Sequence, residues 1–227
     1  MKKLFLPLLF SLVLPTAFSC SSSRLAGYML NEKDAAAAIR QLLEIGARDG
    51  VYSGAFSKEN VMSTIFPESL RKALNTLNQL GLTNEIDRFT TTMSTAAEKT
   101  AQRSVPIFIS GINNMKLSDA MRIIKNGGTS ATDYLRASVG ADLRKSITPV
   151  MQGVIDEYKL GQQWNDLLKP ARAFLGDKFN LDLANLMAGL VSEKMFQQLE
   201  LKEKEIRTNA AARTTPLLQK VFSRNWN

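Results

Sequence analysis

The chain has 227 residues and not one histidine. That removes the commonest general base, the middle member of most nucleophilic triads and the commonest zinc ligand. There is a single cysteine, Cys20, so neither a disulfide within the chain nor a multi-cysteine metal site can form. No metal site and no cofactor is expected. Aromatic residues are sparse at 7%, and the basic residues form no stripe interleaved with stacking rings, so nucleic acid is not an expected partner. Runs of β-branched residues are rare, and no internal repeat or low-complexity block is visible. Ala, Leu, Met, Lys, Glu, Gln and Asn dominate, which leans towards helix.

What is present suffices for one sizeable core: 44% of residues are hydrophobic and 22% charged, an ordinary globular balance. The formal net charge is +8, of which Lys2 and Lys3 supply two. The remaining excess is mild and suits contact with anionic lipid or polymer.

The first thirty residues carry the plainest pattern. Lys2 and Lys3 precede the apolar run Leu4-Phe5-Leu6-Pro7-Leu8-Leu9-Phe10-Ser11-Leu12-Val13-Leu14, and Pro15 to Ser19 lead into Cys20. The stretch from Leu4 to Ser19 is too short, at ~1.5 Å per helical residue, for the ~30 Å hydrocarbon core, and two prolines interrupt it. It reads as a signal peptide over residues 1–19. The lone cysteine follows small Ser19 directly, an arrangement that resembles the lipobox of bacterial lipoproteins. There the thiol takes a diacylglycerol and the freed amine is acylated. Ala17 and Phe18 depart from the usual pattern, in which Leu and a small residue are commoner. Ala17 and Ser19 would also satisfy ordinary signal peptidase. Lipidation at Cys20 accounts for the thiol that an exported protein would otherwise leave free and oxidisable. Residues 20–30 then form a short tether, and residues 31–227 one all-α domain of about seven to nine helices.

Along that domain, Asn31 caps a helix from Glu32 to Arg48 with Ala35, Ala38, Ile39, Leu42 and Leu43 on one face. Val61 to Phe66 reads as a short extended piece stopped by Pro67. Leu70, Ala73, Leu74, Leu77 and Leu80 mark a helix ending at Gly81. A longer pattern from Phe89 to Met115 should kink or split at Pro106. Ser118 caps a short helix that Asn126-Gly127-Gly128 breaks. The next helix starts near Thr129 or Ser130, and Pro149 offers a restart point within it. A helix around Trp164 spans Gly161 to Leu175, with Pro170 a possible bend. Asn180 caps a long helix whose exposed side pairs Glu200 with Lys204 and Glu203 with Arg207. Thr215-Pro216 opens a closing helix through Leu217, Leu218, Val221 and Phe222.

Several stretches together resemble a bacterial family known only as a domain of unknown function, DUF4197. They include Asp49-Gly50-Val51, Pro67-Glu68-Ser69-Leu70, Ala96-Ala97-Glu98, the run from Leu117 to Gly128, Ala131 to Arg136, and Leu217 to Phe222. The resemblance covers about Asp34 to Phe222. It implies an α-helical, usually exported or membrane-attached bacterial protein, and it implies no activity.

Three spots invite a chemical reading. Ser69-Leu70-Arg71-Lys72 matches the S-x-x-K of penicillin-binding enzymes, but the S-D-N partner fails at Ser118-Asp119-Ala120 and K-T-G is absent. Glu98 lies among alanines, where a desolvated carboxylate could act as acid or base, although a buried salt bridge or an exposed site is the readier explanation. The best spot is the turn Asn126-Gly127-Gly128-Thr129 with Thr132 and Arg136. Its helix start offers free N–H groups, Thr132 a hydroxyl and Arg136 a permanent charge, a set suited to a carboxylate or phosphate. The competing expectation is a purely structural turn, with Arg136 paired to Asp133 or Asp119.

The expected function is that of a lipoprotein, anchored in the membrane through Cys20 and facing the periplasm from the outer membrane. It would be a binding or structural interaction module for an envelope protein or an anionic envelope ligand. Two alternatives stand beside it: an envelope enzyme acting on cell-wall polymer or lipid through carboxylates or a Ser–Lys pair, and a carrier of small apolar ligands.

Overall fold

A computed structural model describes residues 30–50, 52, 54–66, 68–171 and 182–224. The leader 1–19, Cys20, the tether up to residue 29, Phe174, Leu175, Asn180, Trp226 and the side chain of Ser69 lie outside the described residues. The described chain is all-α: α1 (Glu32–Asp49), α2 (Lys58–Ile65), α3 (Glu68–Gln79), α4 (Thr83–Asn114), α5 (Ala120–Asn126), α6 (Ser130–Glu157), α7 (Leu160–Leu168), α8 (Leu183–Thr208) and α9 (Pro216–Phe222). Short 3₁₀ turns follow α7 at Lys169–Ala171 and α8 at Ala210–Ala212. None of the described helices is long and apolar enough to cross a membrane.

Four long helices make the frame. α4 and α8 lie side by side, and each packs against both α1 and α6, which barely meet one another. In cross-section this is a diamond with α1 and α6 at its far corners. The sequence explains the close central packing. α1 buries Ala35, Ala38, Ala47 and Gly46 among larger Ile39, Leu42 and Leu43. A Cβ at Gly46 would sit 2.8 Å from a Leu199 methyl of α8, so the smallest residue stands where the two helices approach most closely. The middle of α4 is likewise small, with Ala96, Ala97, Thr100, Ala101 and Ser104 buried. Bulk is placed towards its ends. Phe89 stacks with Trp164 of α7, their centroids 5.4 Å apart, and Trp164 stacks with Phe66 at 5.7 Å. Phe108 meets Phe196 of α8 edge-on at 5.1 Å.

Several expectations are corrected. Leu80, read with the apolar face of α3, stands just past its end and is exposed. Residues 58–65 are helical rather than extended: the Ser57 hydroxyl accepts from Asn60 N, and Val61 and Ile65, four apart, bury together on one face. Pro106 does not split α4, nor does Pro149 restart α6. Each proline forfeits one ladder bond, but buried residues on both sides, Ser104 and Phe108 in α4 and Ile147 and Met151 in α6, hold the helix continuous. Asp119 rather than Ser118 stands at the start of α5. α8 is capped at Asp182, whose carboxylate accepts from Asn185 N at 3.0 Å.

Candidate functional site

The turn between α5 and α6 is built by its glycines. Gly127 and Gly128 both adopt positive φ, 67° and 57°, in the region that other residues rarely enter. The chain reverses there, and α6 starts with its first N–H groups directed at α8. Ser130 donates its hydroxyl back to Ile123 O at 2.6 Å, tying the new helix to the end of the old one.

The anion that this helix start could hold is supplied by the chain itself. Glu203 of α8 is fully buried. Its Oε1 accepts from Ala131 N at 3.0 Å, and its Oε2 accepts from Thr132 N at 2.8 Å and from the Thr132 hydroxyl at 2.7 Å. Arg207, one turn further along α8, donates Nε–H to Glu203 at 2.9 Å. The same guanidinium donates to Ile124 O at 3.1 Å, Ile123 O at 3.3 Å and the Ser130 hydroxyl at 3.2 Å. It lies over the Phe222 ring at 5.1 Å, which brings α9 into the same cluster. Glu203 and Arg207 therefore do not form the exposed pair expected from their spacing. They are a buried clamp that satisfies the N-terminus of α6 and the C-terminal carbonyls of α5 together.

The six sequence-predicted residues do not converge on one point. Thr132 is buried on Glu203, while the Thr129 hydroxyl donates to Asp133 at 2.9 Å. Asn126 and Gly128 are exposed at the tip of the turn, with Gly127 half-buried beside them. Arg136 does share the Thr132 side of α6, but it forks between Glu193 and Glu200 of α8, above the Phe196 ring at 4.6 Å. Its partners are thus neither Asp133 nor Asp119, which pairs with Arg122 at 2.8 Å. Glu200 in turn pairs with Arg136 rather than with Lys204.

Because Arg136 is about one-third exposed, its ion pairs are partly screened. Arg136→Ala is expected to cost about 1–2 kcal/mol through the lost fork and ring contact together, a fall of a few degrees in Tm. Arg136→Lys should restore only part of it, because an ammonium cannot fork across two carboxylates. Differential scanning calorimetry of the two variants checks this, and full recovery by lysine would show that only charge matters.

The other chemical candidates are also engaged within the fold. Glu98 is half-buried and accepts from Gly54 N at 2.8 Å, fastening the loop before α2 to α4. Lys72 pairs with Glu68 at 2.9 Å on the exposed side of α3. Tyr52 is buried and donates to Ala47 O at 3.2 Å, and burial pushes its phenol up to about 12. Among the described residues no group of three or more acidic side chains is placed to hold a metal ion. A groove of about 480 Å³ runs between α4 and α6, lined by Pro106, Ile107, Gly111, Val139 and Leu143 with the single carboxylate Asp142.

No curated protein and no solved structure matches the chain. The family model described as a protein of unknown function, DUF4197, matches residues 29–223, and the buried clamp at Glu203, Arg207, Ser130 and Thr132 lies wholly inside that span. The chain belongs to the DUF4197 family.

Proposed function

We propose that this chain is a lipid-anchored protein of the bacterial cell envelope, whose helical domain serves as a binding or structural interaction module facing the periplasm from the outer membrane. The observation that carries the reading is the placement of Cys20. The only cysteine of the chain follows small Ser19 at the end of an apolar stretch headed by Lys2 and Lys3. The domain adds support of a different kind. Its most motif-rich segment directs its donors and charges at partners within the fold, as a scaffold does.

Mass spectrometry of the mature N-terminus tests the anchor. The expected product begins at Cys20 and carries acyl chains, fractionates with the outer membrane and resists extraction by salt. Acyl chains contribute about 0.8 kcal/mol per buried CH₂, so several together hold the protein almost permanently. Cys20→Ser should release soluble or unprocessed protein. An unmodified Cys20, or cleavage elsewhere, would overturn the proposal.

A further inference from the structure

We infer that the layer formed by α1, α5 and α9 is a membrane-docking face that settles on anionic phospholipid headgroups, an inference that rests on the anchored reading above. The first observation is positional. α1 is flanked by α5 on one side, where Glu32 accepts from Met121 N at 3.2 Å and Arg40 donates to Met115 O at 3.0 Å. It is flanked by α9 on the other, where Asp34 pairs with Lys220 at 3.1 Å and Gln41 accepts from the Thr215 hydroxyl at 2.7 Å. Glu32 with Arg40, and Asp34 with Gln41, fall on opposite flanks of one helix, which leaves the stripe through Lys33, Ala37, Glu44 and Arg48 facing outward between the two neighbours, two cations against one carboxylate.

The second observation is electrostatic. Residues 115–125 hold three cations, Lys116, Arg122 and Lys125, against the one carboxylate Asp119. Residues 210–224 hold Arg213, Lys220 and Arg224 and no carboxylate. All other described residues together carry one more carboxylate than cations, so among the described residues the positive excess lies in the two segments that flank α1. Arg213, Lys220 and Arg224 line a groove of about 720 Å³ beside α9.

The third observation is the anchor point. Ten residue-to-residue steps lead from Cys20 to Leu30, at the entrance to α1, a reach of about 35 Å at full extension. The anchor therefore pulls on the end of the helix that lies between the two basic segments. Such a tether holds the face near the headgroups at an effective concentration on the order of millimolar, so weak, screened attractions suffice to orient the domain.

The test uses the full-length lipidated protein reconstituted into vesicles. Once Cys20 is acylated, a thiol introduced by Ala37→Cys is the only free one and takes a donor dye. Lys145→Cys, exposed on α6 across the diamond, is the comparison. Energy transfer to headgroup-labelled lipid is measured in phosphatidylcholine vesicles with and without phosphatidylglycerol. With phosphatidylglycerol, transfer from position 37 should exceed that from position 145 severalfold. The difference should collapse at high salt, in phosphatidylcholine alone, and in the combined variant R122E, K125E and R224E, whose Tm is checked first. Should that variant unfold, the salt arm decides. Equal transfer from the two positions in phosphatidylglycerol vesicles, or transfer insensitive to salt, overturns the docking face alone. Protein that does not float with the vesicles and carries no acyl chain on Cys20 overturns the anchored reading with it.

Discussion

Replacing Glu203 by alanine is expected to destabilise the domain by about 3–5 kcal/mol, because removing one partner of a buried ion pair leaves the other charge uncompensated. Four donor groups lose their acceptor at once: the amides of Ala131 and Thr132, the Thr132 hydroxyl and the Arg207 guanidinium. None of them can turn to bulk water while the site stays closed, since Thr132 is fully buried and the Arg207 side chain is only 10% exposed. For a domain of this size that loss lowers Tm by roughly 6–20 °C. Glu203→Gln should fall between the two, since the amide keeps one acceptor oxygen for the helix start while losing the charge that faces Arg207. Calorimetry on the three proteins reads the order directly. A Glu203→Ala variant as stable as the parent would mean that the clamp contributes nothing net.

The second large effect is expected at Trp164. Its indole forms a three-ring cluster with Phe66 and Phe89 and helps to bind α7 to α4. Trp164→Ala should cost about 3–5 kcal/mol, the range for truncating a large buried aromatic. Trp164→Phe keeps a ring in the stack and should cost about half as much. Chemical denaturation followed by circular dichroism separates the two variants. The opposite ranking would show that a ring at this position contributes nothing to stability.

Much of the helical frame is legible in the amino-acid order because its signal is periodic. The face of α1 is visible as Ala35, Ala38, Ile39, Leu42 and Leu43, and the structure buries all five. The errors fall where a short-range rule competes with packing. Proline predicts a break at positions 106 and 149, and the buried residues around each outweigh one lost hydrogen bond. Residues 61–66 look extended because the run is apolar and ends at a proline, yet the capping serine lies upstream at position 57.

The clamp was hidden for a different reason. Glu203 and Arg207 have the spacing of an ordinary surface pair, and that spacing is the same on a buried face as on an exposed one. One clue did exist: Glu203 continues the stripe of Met195, Leu199 and Ile206, all buried, so an acid stood at a core position. Its partners at the start of α6 are 71 and 72 residues away, a distance across which no local pattern reaches.

The pairing of α1 with α8 and α9 also sets a timetable. Asp34 meets Lys220 across 186 residues, and Gln41 meets Thr215 across 174. Contacts of such separation close last, because the entropy of joining distant chain segments must be met before they form. While the chain is still being made, α1 meets α4 and α5 first and lacks α8 and α9, so the bundle cannot lock until those two helices are available. A chain of this order stays unlocked up to its closing stretch, the condition in which a polypeptide can still be threaded through a narrow pore and folded on the far side.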